Sequence, residues 1–120
     1  MANEIAVNRA SGLTLYAILW RPADLYVYDT AHAAFEAPST WNDARVAECD
    51  IALTEIAGTG WYQGNFPTLP PGLYFIRVYE RAGASPSSAD VSSGGVDAAW
   101  SGTRLITILY EVSRNVQYLD

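Results

Sequence analysis

The chain has 120 residues, with 13 acidic side chains, 7 basic ones and a single histidine, for a net charge of −6, and every basic residue is an arginine. That balance argues against a partner held through its phosphate backbone, so no nucleic acid is expected. Charged residues make up 17% of the chain and apolar ones 50%, against roughly 25% charged in an average domain, so part of the surface is expected to be covered by neighbours.

The length fits one domain spanning residues 1–120, large enough to hide roughly two-thirds of its unfolded surface without metal or disulfide staples. Cys49 is the only cysteine and has no partner for an intramolecular bridge, so it reads as a small buried apolar residue. Residues 1–8 have neither a basic region nor an apolar run of the signal-peptide kind, so synthesis in the cytoplasm without a leader is expected. No apolar stretch approaches the roughly 20 residues of a spanning helix, so no membrane partner is expected.

In chain order, Glu4 to Asn8 is a short strand-forming piece, part of a possible N-terminal arm over residues 1–12. Leu13 to Trp20 is an aromatic and β-branched run stopped by Arg21-Pro22, and both of its faces are apolar, so it reads as a strand covered on both sides by a loop or a partner. Leu25 to Tyr28 and Ala34 to Glu36 form a short hairpin. Between Ser39 and Glu48 one helical turn at most is expected, capped by Ser39 or Thr40. Ile51 to Ile56 alternates and ends at a loop containing Gly58 and Gly60.

Gly60 to Tyr79 reads as two aromatic strands around Pro70-Pro71-Gly72, with Pro71 and Gly72 at the corners of a type II turn that requires positive φ at Gly72. On the second of these strands Tyr74, Ile76 and Val78 share one side and Phe75, Arg77, Tyr79 and Arg81 the other, where the arginines should meet water or a carboxylate. Residues 82–95, rich in Ser, Gly and Ala, read as a long loop, mobile or engaged by a partner. Val96 to Trp100 and Thr103 to Val112 form a closing hairpin through Ser101-Gly102.

Seven to eight short strands with turns about every 10 residues indicate an all-β class, a single antiparallel β-sandwich of immunoglobulin-like or related type, with a small β-barrel as the alternative. Trp20, Trp41, Trp61 and Trp100 fall in or beside strands, where core or interface packing is their usual role.

Chemistry is sparse. His32, the lone histidine, would have to serve alone in any triad or metal cluster. The carboxylates lack the spacing of a calcium loop, no Gly-rich loop opens a helix, and no catalytic, cofactor or metal residues are assigned. A pair of carboxylates brought together by the fold would suffice for glycoside hydrolysis, but the short loops leave little material for a cleft. Exposed Tyr and Trp side chains would suit a glycan-binding or adhesion module, the main alternative function.

Several segments in order carry a resemblance. They are Leu15-Tyr16-Ala17, Tyr26-Val27-Tyr28 with Phe35-Glu36, Trp41 before Ile51 to Glu55, Gly60 to Pro67, Pro71-Gly72-Leu73-Tyr74, Val78 to Pro86, and a later Gly-Gly to Trp step. Over residues 2–103 the chain resembles small β-domain proteins of tailed-phage and prophage-like gene sets. It departs from them at Tyr28, where a Trp-Asn pair is common, and in the apolar final strand Leu105 to Val112.

The resemblance implies a non-enzymatic virion or fibre component (decoration, head–tail or fibre) whose partners are itself and other virion proteins, in a virion or extracellular assembly. Ile5, Val7, Tyr16, Trp20, Tyr26 and Tyr28 are the expected interface residues. One version has the Glu4 to Asn8 strand pair with a neighbour's sheet edge, as in fibres built by strand exchange, so that deleting residues 1–10 would stop assembly and leave a folded monomer.

Overall fold

The computed structural model of the chain describes residues 3–108. As the alternating patterns require, it is all-β apart from one short helix. The described residues form nine strands, β1 (Ile5–Asn8), β2 (Leu15–Arg21), β3 (Tyr26–Asp29), β4 (Ala34–Glu36), β5 (Ile51–Glu55), β6 (Trp61–Gly64), β7 (Gly72–Glu80), β8 (Val91–Trp100) and β9 (Leu105–Ile108), with helix α1 (Asp43–Cys49) between β4 and β5. Among the described residues no helix is long and apolar enough to cross a membrane. Past Ile108 the expected last strand lies outside the described residues.

The strands form one antiparallel sheet in the order β1-β6-β5-β2-β7-β8-β9, with β3 hydrogen-bonded to β2 and β4 to β3. Strand β5 turns the corner. Its first half pairs with β2, from Leu15↔Leu53 to Ala17↔Ile51, and its second half with β6, at Thr54↔Gln63 and Glu55↔Tyr62. The sheet thereby curls into a sandwich that approaches a barrel, closed sideways by a side chain in place of a ladder. A bulge between Val78 and Tyr79 leaves Ser93 unpaired in β8, and Arg9 Nε, just past β1, donates to the Ser93 carbonyl at 3.1 Å.

Inside the curl lies the main core, where Leu15, Ala17 and Leu19 of β2 meet Ile76 and Val78 of β7, Ile5 and Val7 of β1, and Tyr62, Phe66 and Trp100. The aromatic residues interlock, with Phe66 and Trp100 stacked at 4.3 Å between ring centroids. Their polar tips are satisfied: Trp100 Nε1 donates to the Leu69 carbonyl, and Tyr62 Oη donates to the Ala10 carbonyl while accepting from Leu13 N–H.

Several expectations are corrected. The two aromatic strands around Pro70-Pro71 do not form a hairpin: β6 pairs with β1 and β5 while β7 pairs with β2 and β8, so this proline segment carries the chain from one layer to the other. Gly72 is not among the residues with positive φ and already opens β7, so no type II turn sits there. The helix is seven residues rather than one turn, and Asn42 caps it by accepting from Arg45 N–H at 3.0 Å. Asn42 wins over Ser39 and Thr40 because the acceptor must sit just before the first helical residue.

Residues 82–95 are not one long loop, since β8 starts at Val91. The remaining residues are held by carboxylates of the same chain. Asp90 accepts from Tyr16 Oη at 2.7 Å and from Ser87 N–H at 2.9 Å, and Asp43 Oδ1 accepts from Ser88 N–H at 3.0 Å and from the Ser87 and Ser88 hydroxyls. Asp43 is held below the usual carboxylate range by those bonds. Asp90 is too: burial raises it, and the bonds from Tyr16 and Ser87 outweigh the burial.

Candidate functional site

Strand β2 is apolar on both faces because both are covered. Its outward face carries Tyr16 and Ile18, which form a second core with Val27 of β3 and with Val46 and Cys49 of α1, while Trp20, Trp41 and Tyr79 pack at its margin. A helix from the same chain therefore supplies the cover. Cys49 is fully buried there and burial pushes its thiol up to about 11, which makes it inert at neutral pH.

The most concentrated charge lies at the end of this covered region. Asp29 is completely buried, and its Oδ2 is 2.8 Å from both His32 Nδ1 and the Arg45 guanidinium, while its Oδ1 accepts from His32 N–H. Arg45 also reaches Glu36 at 3.0 Å and Glu48 at 3.5 Å. Ligand atoms of Asp29, His32 and Glu36 lie within 4.8 Å of one another. The same nitrogen of Arg45 bonds both Asp29 and Glu36, so a guanidinium already neutralises the carboxylates that a metal would need. Burial raises the Asp29 carboxyl, and the bonds from His32 more than reverse that, so it stays ionised below the usual range. The cluster is an ion-pair network that pins α1 to the β3–β4 hairpin.

The rest of the outer face is left uncovered by the described residues. Phe75, Arg77 and Tyr79 of β7 share this face with Trp20, which lies opposite Phe75 in the ladder, and Asp97 of β8 lies opposite Phe75 on the other side. Together with Gly95 and Val96, and with Leu25 and Pro38 on the rim, they line a groove of about 560 Å³. A methyl group at Gly95 would come within 2.6 Å of the Ile76 carbonyl oxygen and 2.8 Å of Arg77 Cδ, so the bare backbone there gives the arginine stem its place. The next cross-strand row is Leu73, Ala99 and Ile106. Leu73 and Ile106 are 56% and 58% exposed and Leu25 is 55% exposed, so the apolar surface continues past the groove.

Of the residues expected at an interface, Ile5, Val7, Tyr16 and Tyr28 are buried in the chain's own cores. The physical reason is pairing within the chain: β1 runs antiparallel to β6 from Ile5↔Gly64 to Asn8↔Trp61, which turns Ile5 and Val7 inward. A donated β1 strand would vacate that core, and deletion of residues 1–10 would remove part of it, so a folded monomer is not the expected product. Trp20 does line the groove, its ring tilted against that of Trp41 at 5.3 Å between centroids, and Tyr26 is exposed beside Arg21.

Sequence reasoning placed Phe75, Arg77 and Tyr79 on one face but expected a carboxylate or water there and assigned them no role. Leu25, Leu73, Asp97 and Ile106 were missed, since only the order of β2, β7, β8 and β9 brings them onto one surface. The chain matches no known protein family, no curated protein and no solved structure.

Proposed function

We propose that the chain is a non-enzymatic structural subunit of a symmetric assembly, of the virion type, such as a decoration, head–tail or fibre protein, and that it acts through contacts rather than turnover. The observation that carries this reading is the uncovered outer face, where the groove continues into the exposed Leu73 and Ile106. A surface of this kind on a weakly charged chain suits burial against a neighbour. The order of segments resembling tailed-phage β-domain proteins supports the same class, with a virion or extracellular assembly as its place. The test is the mass of the purified chain in solution by light scattering over a range of concentrations, with electron microscopy of any large species. Self-association that grows with concentration is expected, with a two-fold dimer as the smallest species and regular particles or filaments wherever further contacts are made.

A second reading, a glycan-binding module, is favoured by one observation. The groove sets the aromatic side chains Trp20, Phe75 and Tyr79 beside Arg77 and Asp97, a combination that suits stacking and hydrogen bonding to a sugar. A strictly monomeric chain that binds oligosaccharide would replace the structural reading with this one.

A further inference from the structure

Arg77 and Asp97 lie on neighbouring strands of the uncovered face, Arg77 opposite Gly95 and Asp97 opposite Phe75, so they are diagonal neighbours of opposite sign. Neither side chain makes a hydrogen bond or ion pair with any described residue, whereas Arg21 is paired with Asp24 and Arg45 with Asp29, Glu36 and Glu48. Two unpaired opposite charges in the centre of an aromatic surface are self-complementary. A two-fold axis between two stacked copies, crossing midway between these residues, sets each Arg77 against the other copy's Asp97.

The backbone adds an independent sign. Leu25 sits at φ 56°, a left-handed conformation that favours glycine or asparagine, and yet it presents a leucine to solvent at the rim of the groove. The turn leaves an apolar side chain at the rim, available for contact with another apolar surface.

We infer that the Phe75–Arg77–Asp97 face is the self-association surface of this protein and that its occupant is a second copy of the same face, docked about a two-fold axis with reciprocal Arg77–Asp97 pairs. This inference rests on the structural-subunit reading and names the contact that reading requires. Sheets stacked face to face lie about 10 Å apart, a gap that an arginine reaching toward a short aspartate can bridge. Leu25, Leu73 and Ile106 then surround the charge pairs with apolar contact that excludes water, which strengthens them.

The experiment is sedimentation velocity on the full-length chain across a concentration series, for the wild type, for R77D, for D97R, for an equimolar mixture of the two, and for the R77D/D97R double variant. Circular dichroism spectra check that each variant is folded; Arg77 is exposed and Asp97 half-buried, so the β-sheet signal should be unchanged. The wild type is expected to dimerise, and each single reversal to weaken dimerisation by roughly tenfold or more through like charges across the axis. The mixture, in which an acidic face meets a basic one, and the double variant are both expected to regain it.

Dimerisation undiminished in both single variants, or no recovery in the mixture, overturns the inference. Larger particles that persist in those variants would leave the structural-subunit reading standing while removing this face from it. A wild-type chain that stays monomeric at every concentration also overturns the inference, and if its tryptophan fluorescence then shifts on titration with a neutral glucan oligosaccharide, the groove is a glycan site instead.

Discussion

The outer face of the sheet has two halves that begin alike and end differently. Both consist of aromatic and β-branched side chains alternating with the main core. Over Tyr16 and Ile18 the chain lays α1, buries Val46 and Cys49 against them, and pairs its buried charges, Asp29 with Arg45 and His32. Over Phe75, Arg77 and Asp97 none of the described residues is laid, and among them the charges stay unpaired. A charge under a helix must be matched within the chain because water cannot reach it, whereas a charge on the uncovered half is free to await a partner. The first half should therefore govern stability and the second association.

Three tests, using four substitutions, would break or sharpen that contrast. The largest stability effect is expected from Asp29→Ala, which leaves Arg45, 12% exposed, with only the more solvent-accessible Glu36 and Glu48. Because those two partners remain, the low end of the usual range applies, about 3 kcal/mol in urea unfolding. A loss below the scatter of such measurements would mean that the network is ornamental.

Next comes Val46→Ala in the covered half, set against Arg77→Ala in the uncovered one. Removing two buried carbons under Tyr16 and Ile18 should cost about 2 kcal/mol, counting a little cavity. The arginine truncation should stay within about 0.5 kcal/mol, since no partner among the described residues is lost. Equal costs in the two variants would erase the distinction between the halves.

The smallest effect is on pH dependence. The bond to Asp29 raises His32 above its ordinary 6.5, with Glu36 and Glu48 adding to the pull. The stabilisation is therefore complete below about 6.5 and is lost as pH rises through the raised folded value. Melting temperature should fall slightly as pH rises past about 6.5 in the wild type, and His32→Ala should flatten that slope. A slope unchanged in the variant would assign the dependence to another group.

Much of the strand content was legible. The run Leu13 to Trp20 holds most of strand β2 (Leu15–Arg21), which starts two residues later and runs through Arg21, with both faces covered, and the alternation of Tyr74, Ile76 and Val78 against Phe75, Arg77 and Tyr79 matches the inward and outward sides of β7. These are local properties, set by the period of two along a strand and by where apolar side chains fall. The site was far less legible. Ile5, Val7, Tyr16 and Tyr28 looked like interface residues because an apolar side chain reads the same whether its cover comes from a neighbour or from its own chain. The proline segment before β7 looked like a hairpin turn because two strand-forming runs flank it, yet their partners are elsewhere.

By itself, then, the sequence determined that this is an all-β chain, low in charge and rich in aromatic side chains, because composition and alternation act residue by residue. Only the tertiary structure decided which faces are core and which are surface. The placement of α1 over one end of the outer face, and the ladder that sets Arg77 beside Asp97 across β7 and β8, depend on pairing between residues far apart in the chain, and no local pattern encodes that pairing.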